Sequence, residues 1–403
     1  MRNRWLIALA AIGLHISIGS VYAWSVLTRP IMVDMGFTLS QTTWTFSLAI
    51  LMLGLSAGFL GSFAEKIGPK KSGLLAMLFW VAGLFGTAYA LSIHSLTLLY
   101  LFYGIIGGIG LGIGYITPVS TLVKYFPNRP GFATGLAIMG FGFASLIAGP
   151  LMQYLVAHVG LVNNFIILGI TYLIVMSASS LYLKAPTPKE PTRSNQDKST
   201  MYVHNHGMLA NDAMKTWQFS TLWWVFFVNI TCGIGLLSLA SPMAQETIGM
   251  TPVAAASLVG IIGIFNGGGR IAWSTISDFL GRAQTYILFF FMEIIAFYLL
   301  SQTNSALTFQ ILILLIITCY GGGFSCMPAY LADLYGIRQL STIHGRILTA
   351  WGLAGIAGPM IVSYFHEAGY GYSMALVCFA VLFILNTIIA IVLKMYGKRD
   401  LHS

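Results

Sequence analysis

The chain carries Gly61-Ser-Phe-Ala-Glu65-Lys-Ile-Gly68-Pro-Lys-Lys71 and, further on, Ser274-Thr-Ile-Ser-Asp278-Phe-Leu-Gly281-Arg282. In both stretches an acidic residue stands three positions before a glycine, and the two acids, Glu65 and Asp278, are 213 positions apart. Each stretch follows an apolar run long enough to cross a lipid bilayer, which requires about 20 residues. The recurrence indicates that the chain contains two copies of one membrane-embedded unit.

Two further matches recur at nearly the same spacing. Ala148-Gly-Pro150 returns 209 positions later as Ala357-Gly-Pro359, and Pro118 is matched by Pro328 after 210 positions. Parallel repeats of this kind are typical of transporters whose binding site lies between the two halves, near the middle of the membrane.

The composition predicts an all-α membrane protein. Hydrophobic residues make up 57% of the 403 residues and charged residues only 8%, whereas soluble domains carry about 25% charged residues. Twelve apolar runs of spanning length lie near 5–27, 43–63, 73–92, 97–121, 132–155, 161–184, 218–240, 253–277, 285–303, 307–330, 344–365 and 370–395. The longest break is polar and Pro-rich, so we expect an N-terminal six-helix bundle at 1–184, a cytoplasmic linker at 185–217, and a C-terminal six-helix bundle with a cytoplasmic tail at 218–403.

The basic residues orient the chain. With the N-terminus inside, 18 of the 20 Lys and Arg residues fall on cytoplasmic segments, while Arg29 falls outside and Arg270 within the membrane. Because Lys and Arg concentrate in cytoplasmic loops, we expect both termini in the cytoplasm of a multi-pass protein of the plasma (inner) membrane. The formal charge of +9 is spread over these short loops, so nucleic acid is not an expected partner.

Several other classes of protein are not expected. The four cysteines lie in apolar segments and show no disulfide or metal-binding spacing: Cys232, Cys319, Cys326 and Cys378. The first apolar run has no small-residue cleavage pattern after it, which predicts a retained helix. Gly104, Gly108 and Gly112 recur four residues apart within a membrane segment, which indicates close helix packing rather than a phosphate loop. We therefore expect no enzyme, no cofactor and no metal site.

Arg270 lies inside the apolar run Ile261-Ile-Gly-Ile-Phe-Asn-Gly-Gly-Gly-Arg-Ile-Ala-Trp273. An arginine at the centre of a membrane helix costs about 2.5–3.5 kcal/mol on insertion scales, and the guanidinium cannot escape by losing its proton. We expect it to bind an anionic substrate, because the guanidinium fork matches a carboxylate in two parallel hydrogen bonds. Asn266, one turn earlier on the same face, is expected to orient the guanidinium or bind substrate. The alternative is that Arg270 packs between helices and pairs with the buried carboxylate of Glu293.

The stretch 61–71 resembles the signature loop of the major facilitator superfamily, with Glu65 in place of the usual Asp and Pro69 in place of a basic residue. The resemblance covers the whole chain. It narrows to the oxalate/formate antiporter family, and within it to the bacterial monocarboxylate (lactate/pyruvate) transporters, at three places: Tyr125-Phe-Pro-Asn-Arg129, Phe265-Asn-Gly-Gly-Gly-Arg270 and Tyr320-Gly-Gly-Gly-Phe324.

The resemblance also bears on the binding site. It implies that the arginine of the eighth helix binds a carboxylate. Oxalate exchangers of this family carry a second cation, a lysine on helix 11, where this chain has Trp351. This departure is the main indication of substrate specificity in the sequence.

Aromatic residues complete the predicted substrate site. Tyr115 and Tyr320 stand beside glycine clusters, and the resemblance favours their hydroxyls as lining the cavity. The other candidates are Tyr22, Trp24, Phe324 and Trp351. The alternative is that these side chains serve in packing or as interfacial anchors, the usual roles of aromatics in membrane helices.

His15 and Glu293 are the proton-coupling candidates. Histidine titrates near neutrality, although a hydrogen-bonded neutral ring is the alternative for His15. Glu293 lies on the ninth segment, expected at the periphery, and could relay a proton or remain protonated against lipid. Glu65 and Asp278 are expected to form a cytoplasmic gate with basic residues at neighbouring helix ends.

The sequence therefore predicts a secondary active transporter that moves lactate or pyruvate with a proton by alternating access, as a monomer. One cation suits one carboxylate, because a second carboxylate near Trp351 would lose its hydration without a partner. Oxalate/formate or other carboxylate exchange is the alternative within transport. A non-transporting membrane receptor for carboxylates is the alternative of another class, but it would favour an output domain larger than the linker or tail.

Overall fold

The structure, a computed structural model, describes residues 3–126, 130–185, 207–336 and 339–396. Apart from one isolated bridge between Gly207 and Gly336, the regular structure in these ranges is helical. The helices of the N-terminal part are α1 (Arg4–Gly19), α2 (Ser25–Met35), α3 (Leu39–Ile67), α4 (Pro69–Ser92), α5 (Leu96–Leu99), α6 (Gly108–Tyr125), α7 (Pro130–Val159) and α8 (Leu161–Tyr182). A 3₁₀ turn, Ser20–Ala23, separates α1 from α2, and a π-helical stretch, Tyr100–Gly107, leads into α6.

The C-terminal part also combines long helices with short ones. Its helices are α9 (Ala210–Ala213), α10 (Trp217–Ser238), α11 (Ala240–Ile248), α12 (Pro252–Leu280), α13 (Arg282–Gln302), α14 (Ala306–Tyr335), α15 (Leu340–Ile347), α16 (Thr349–Phe365) and α17 (Gly371–Tyr396). A π-helical turn, His366–Tyr370, joins α16 to α17. Most of the predicted linker, together with Arg129, lies outside the described residues.

Eleven helical segments of the described ranges are long and apolar enough to cross a membrane. The eleventh, Thr342–Tyr396, has 55 residues and contains both α16 and α17, between which Gly369 has a non-helical φ of 84°. The all-α membrane architecture is confirmed. The count of twelve spans and the cytoplasmic placement of both termini stay predictions.

The first apolar run differs from the continuous helix predicted near 5–27. The structure ends α1 at Gly19, passes through the 3₁₀ turn, and resumes as α2. Ser17 Oγ donates to the Gly13 carbonyl (2.9 Å) and Ser20 Oγ to the Ser17 carbonyl (2.7 Å), and such hydroxyl-to-carbonyl bonds often bend helices. This break carries Tyr22.

Two helix pairs make the most extensive contacts between the N-terminal and C-terminal parts: α7 packs along α12, and α3 packs along α16. Glycines set the separation in both pairs. A Cβ at Gly142 of α7 would lie 3.1 Å from the Cα of Gly267, and one at Gly54 of α3 would lie 2.6 Å from the Cα of Gly352. Such contacts between small residues let membrane helices approach closely. Within the N-terminal part, a Cβ at Gly108 would lie 2.6 Å from the Met52 Cβ, as predicted for the glycines four residues apart.

Candidate substrate site

Arg270 lies on α12 with only 2% of its surface exposed. Its Nε donates to Asn266 Oδ1 over 3.2 Å, which is the contact expected of an orienting residue. Among the described residues, neither Nη1 nor Nη2 has a hydrogen-bond partner, although both are buried. The phenols of Tyr22 and Tyr115 are near enough to interact electrostatically with the guanidinium, but without good hydrogen-bond geometry. Within the described part of the chain, the two nitrogens of the fork thus lie beside tyrosine hydroxyls but form no well-aligned hydrogen bond.

The glycine run of α14 makes room for this arrangement. A Cβ at Gly321 would lie 2.9 Å from Asn266 Oδ1 and 3.3 Å from Arg270 Cγ. Any larger residue would therefore push against both polar side chains. The next turn of α14 supplies Phe324, whose ring centre lies 5.1 Å from Arg270 Cζ, within the range of a cation–π contact.

Six aromatic side chains pack against one another, and the ring of Phe324 among them faces the Arg270 guanidinium. They are called here the aromatic cluster: Tyr22, Tyr115, Phe141, Tyr320, Phe324 and Trp351. They come from α6, α7, α14, α16 and the 3₁₀ turn, and so from both parts of the chain. The hydroxyls of Tyr22 and Tyr320 share a hydrogen bond of 2.9 Å, which directly links the two parts.

Trp351 lies at the centre of the aromatic cluster. Its ring centre is 4.8 Å from that of Phe324, 5.3 Å from that of Tyr115 and 6.1 Å from that of Phe141. Its indole Nε1 is buried and has no hydrogen-bond partner among the described residues. The Trp351 ring therefore packs against aromatic side chains of α6, α7 and α14.

Phe141 was missed by the sequence reasoning. It stands in Met139-Gly-Phe141-Gly-Phe143, and so carries the same signal, an aromatic ring between glycines, that selected Tyr115. Its ring lies 4.9 Å from Tyr22 and 5.5 Å from Tyr115. It therefore fixes the rings of α6 and the 3₁₀ turn relative to each other.

His15 lies on α1 beside the aromatic cluster and is fully buried. Its ring stacks on Tyr115 with centres 5.5 Å apart. Nδ1 is 2.5 Å from the Ala137 carbonyl oxygen and Nε2 is 2.9 Å from the Tyr115 carbonyl oxygen. The structure therefore brings this proton-coupling candidate close to the predicted substrate site.

Comparisons with known proteins identify the family of the chain. A family model described as Major Facilitator Superfamily matches residues 7–300. The chain belongs to this superfamily. The resemblance drawn from the sequence is confirmed at this level.

Several individual proteins are also similar to this member of the superfamily. It is 28% identical over 357 residues to the uncharacterized MFS-type transporter YhjX of Escherichia coli K12, covering 88% of this chain and 86% of the relative. It is 26% identical over 362 residues to the oxalate:formate antiporter of Oxalobacter formigenes, covering 88% and 83%. Human monocarboxylate transporter 14 is 21% identical over 466 residues, covering 96% and 90%. These relatives agree with the resemblance to the oxalate/formate antiporter family.

The fold is also found among solved structures. A bacterial homologue of the human lysosomal transporter Spinster, crystallised inward-facing, superposes with a TM-score of 0.75 at 14% identity, covering 97% of this chain and 96% of that one. This likeness concerns the major facilitator fold alone.

Two predicted site residues lie apart from the aromatic cluster. The Trp24 ring packs 4.4 Å from Tyr103, which in turn contacts Trp80 and Phe165 inside the N-terminal part. Glu293 on α13 does not face lipid, since it is fully buried. Its Oε2 accepts from Asn229 Nδ2 of α10 over 3.4 Å. Among the described residues, no carboxylate forms an ion pair with Arg270.

Of the two predicted gating acids, the structure describes the side chain of Asp278 only, and the gate itself stays a prediction. Asp278 Oδ1 pairs with Arg282 Nη2 over 2.5 Å, and Arg282 Nε lies 3.7 Å from Asp333 Oδ2. These contacts link the ends of α12, α13 and α14 within the C-terminal part. The side chain of Glu65 is not among those that the structure describes, so its gating role stays a prediction.

Proposed function

We propose that the protein is a secondary active transporter that moves a small monocarboxylate, lactate or pyruvate, together with a proton. The observation that carries this proposal is Arg270, buried, charged and with two unpartnered guanidinium nitrogens among the described residues. A carboxylate would accept from both nitrogens in the bidentate geometry that arginine favours. An intramembrane charge of this kind commonly marks a substrate pathway.

The surroundings of Arg270 support a monocarboxylate. Phe324 presents an aromatic face to the guanidinium, and Trp351 stands at the position where the family resemblance places a lysine in oxalate exchangers. A dicarboxylate would bury its second charge against Trp351 and Phe324, and an unpaired buried charge is strongly destabilising. The methyl end of lactate or pyruvate would instead contact these apolar rings.

The relatives support a carboxylate as the substrate class. An oxalate:formate antiporter, a monocarboxylate transporter and, at 21% identity over 77% of this chain, an apicoplast pyruvate carrier of Toxoplasma gondii are all similar to this protein. Since the names include both exchange and monocarboxylate transport, carboxylate exchange is the second candidate function.

The proposed topology follows the positive-inside distribution of Lys and Arg. It has twelve spans with both termini in the cytoplasm, in the plasma (inner) membrane. The bundles at 1–184 and 218–403 would rock about the Arg270 site, joined by the linker at 185–217, and a single copy would suffice. Asn266, Tyr22, Tyr115, Tyr320, Phe324 and Trp351 would bind substrate around Arg270, with Trp24 behind them.

Uptake of labelled lactate, pyruvate and oxalate into proteoliposomes, with and without a pH gradient, tests the proposal. We expect lactate or pyruvate to accumulate when the inside is alkaline, and oxalate to be excluded. Oxalate uptake driven by internal formate, without a pH gradient, would favour exchange instead. Binding of a carboxylate without transport would indicate a receptor.

A further inference from the structure

The two ring nitrogens of His15 both face carbonyl oxygens, Ala137 O of α7 and Tyr115 O of α6. A carbonyl oxygen only accepts hydrogen bonds. A neutral imidazole has one N–H donor and one acceptor nitrogen, whereas the imidazolium has two donors. The neutral ring can satisfy only one of these contacts, while the protonated ring satisfies both. The two carbonyl contacts therefore favour the protonated ring over the neutral one.

Two features of the surroundings oppose that proton. His15 is fully buried, and burial disfavours a charged group. Of the charged groups in the described residues, only Arg270 interacts electrostatically with His15. A proton on His15 would therefore be repelled, because like charges repel. The elements packed around α1 otherwise present uncharged side chains to this region: Tyr115 from α6, Phe141 from α7, and Tyr172 and Ser179 from α8.

A carboxylate bound to Arg270 would remove this repulsion. The pair of Arg270 and a monocarboxylate has no net charge, so the carbonyl contacts of His15 could then hold the imidazolium. Coupling between two binding sites is reciprocal, so a proton on His15 would in turn favour the anion on Arg270. Tyr115 joins the sites physically, because its carbonyl faces His15 and its ring contacts Trp351.

We infer that His15 is the proton-binding residue of the transport cycle, loaded with one proton when a monocarboxylate neutralises Arg270. This inference rests on the proposed function. The proton binds a ring nitrogen on one side of the membrane and leaves it on the other, so the loaded carrier gains no net charge. Glu293 is not used in this step, because its hydrogen-bond partner is Asn229, which is not a member of the aromatic cluster.

The test compares net accumulation with exchange in proteoliposomes. With one proton per substrate, an inside-alkaline gradient of one pH unit supports accumulation of lactate up to about tenfold. For His15→Gln we expect no accumulation above the external concentration, while exchange of labelled for unlabelled lactate continues. His158→Gln is the matched control, because His158 Nδ1 contacts only the Tyr154 carbonyl of its own helix. It should keep the tenfold gradient, as should Glu293→Gln.

A second measurement does not depend on the folding of a variant. Lactate and pyruvate are titrated into the purified wild-type protein in buffers of different ionisation enthalpy, which reports the protons taken up on binding. We expect one proton per bound anion, and none for His15→Gln.

The outcomes distinguish a failure of the His15 assignment from a failure of the proposed function. Binding to the wild type without proton uptake, or full coupling in His15→Gln, would overturn the assignment of His15 while leaving carboxylate transport intact. Absence of any lactate or pyruvate binding to the wild type would overturn the proposed function, and the assignment with it.

Discussion

Replacing Arg270 by lysine tests the binding geometry most directly. Lysine keeps the positive charge, and so a similar cost of insertion, but it is a point charge without the planar fork. In the structure Nη1 and Nη2 are both free of partners among the described residues, and Nε is held by Asn266 Oδ1 at 3.2 Å. The variant would therefore lose both the second hydrogen bond to the carboxylate and the contact that orients the group.

The expected magnitude follows from one lost charge-assisted hydrogen bond. Such a bond is worth about 1.5–3 kcal/mol, which corresponds to about 10- to 150-fold in affinity, since 1.4 kcal/mol is tenfold. Loss of the orienting contact with Asn266 moves the expectation toward the upper end. We therefore expect Arg270→Lys to raise the KM for lactate or pyruvate, or abolish measurable uptake, with the protein still inserted and folded.

Initial rates of labelled lactate and pyruvate uptake, over a range of concentrations, measure this effect. Arg29→Lys is the matched control, because Arg29 is exposed and its Nη1 hydrogen-bonds Gln245 far from the aromatic cluster. A folded Arg270→Lys variant whose uptake stayed within about threefold of the wild type, smaller than the loss of even one such bond, would refute the bidentate contact.

Three further predictions concern specificity, packing and the gate. Trp351→Lys should weaken lactate and pyruvate transport and introduce measurable oxalate binding, because the new ammonium could pair with the second carboxylate of oxalate. Unchanged specificity would mean that Trp351 does not line the site. Gly321→Ala should reduce uptake by about tenfold, the equivalent of about 1.4 kcal/mol, because its Cβ would press on the backbone carbonyl and side chain of Asn266 and on Arg270. Gly268→Ala, with nothing within 4 Å of its Cβ, should transport normally. Equal rates for the two variants would contradict the packing argument. Neutralising Glu65 and Asp278 together should shift the population toward the inward-facing state. Cysteines placed on the outer side of the cavity should then be labelled less than in the wild type, and identical labelling would leave these acids as topology signals.

The membrane class and the position of the charged site could be read from the sequence. Apolar runs of spanning length and the distribution of Lys and Arg are properties of the chain itself, set by the cost of exposing polar groups to lipid. Arg270 could be identified because a guanidinium keeps its charge. The free-energy cost of placing that charge in the membrane must therefore be offset by groups beside it. Asn266 followed from the helical spacing of four residues.

Contacts between distant segments could not be obtained in this way. The hydrogen bond between Tyr22 and Tyr320 joins residues 298 positions apart, and it depends on how α14 packs along α12 and how α12 packs along α7. Sequence reasoning placed both Trp24 and Tyr22 at the site. In the structure the Tyr22 ring joins the aromatic cluster, whereas the Trp24 ring packs on Tyr103, because the 3₁₀ turn between α1 and α2 separates their directions.

The chain by itself therefore determined that this is a duplicated, many-helix membrane protein with one intramembrane cation, because hydrophobic length, loop charge and helical spacing are local quantities. Only the tertiary structure decided that Phe141 belongs to the site, that Glu293 is held by Asn229, and that His15 lies between two backbone carbonyls. Those facts depend on which faces of separate helices meet. That choice is made by the close packing of glycines such as Gly142 against Gly267, and no spacing along the chain records it.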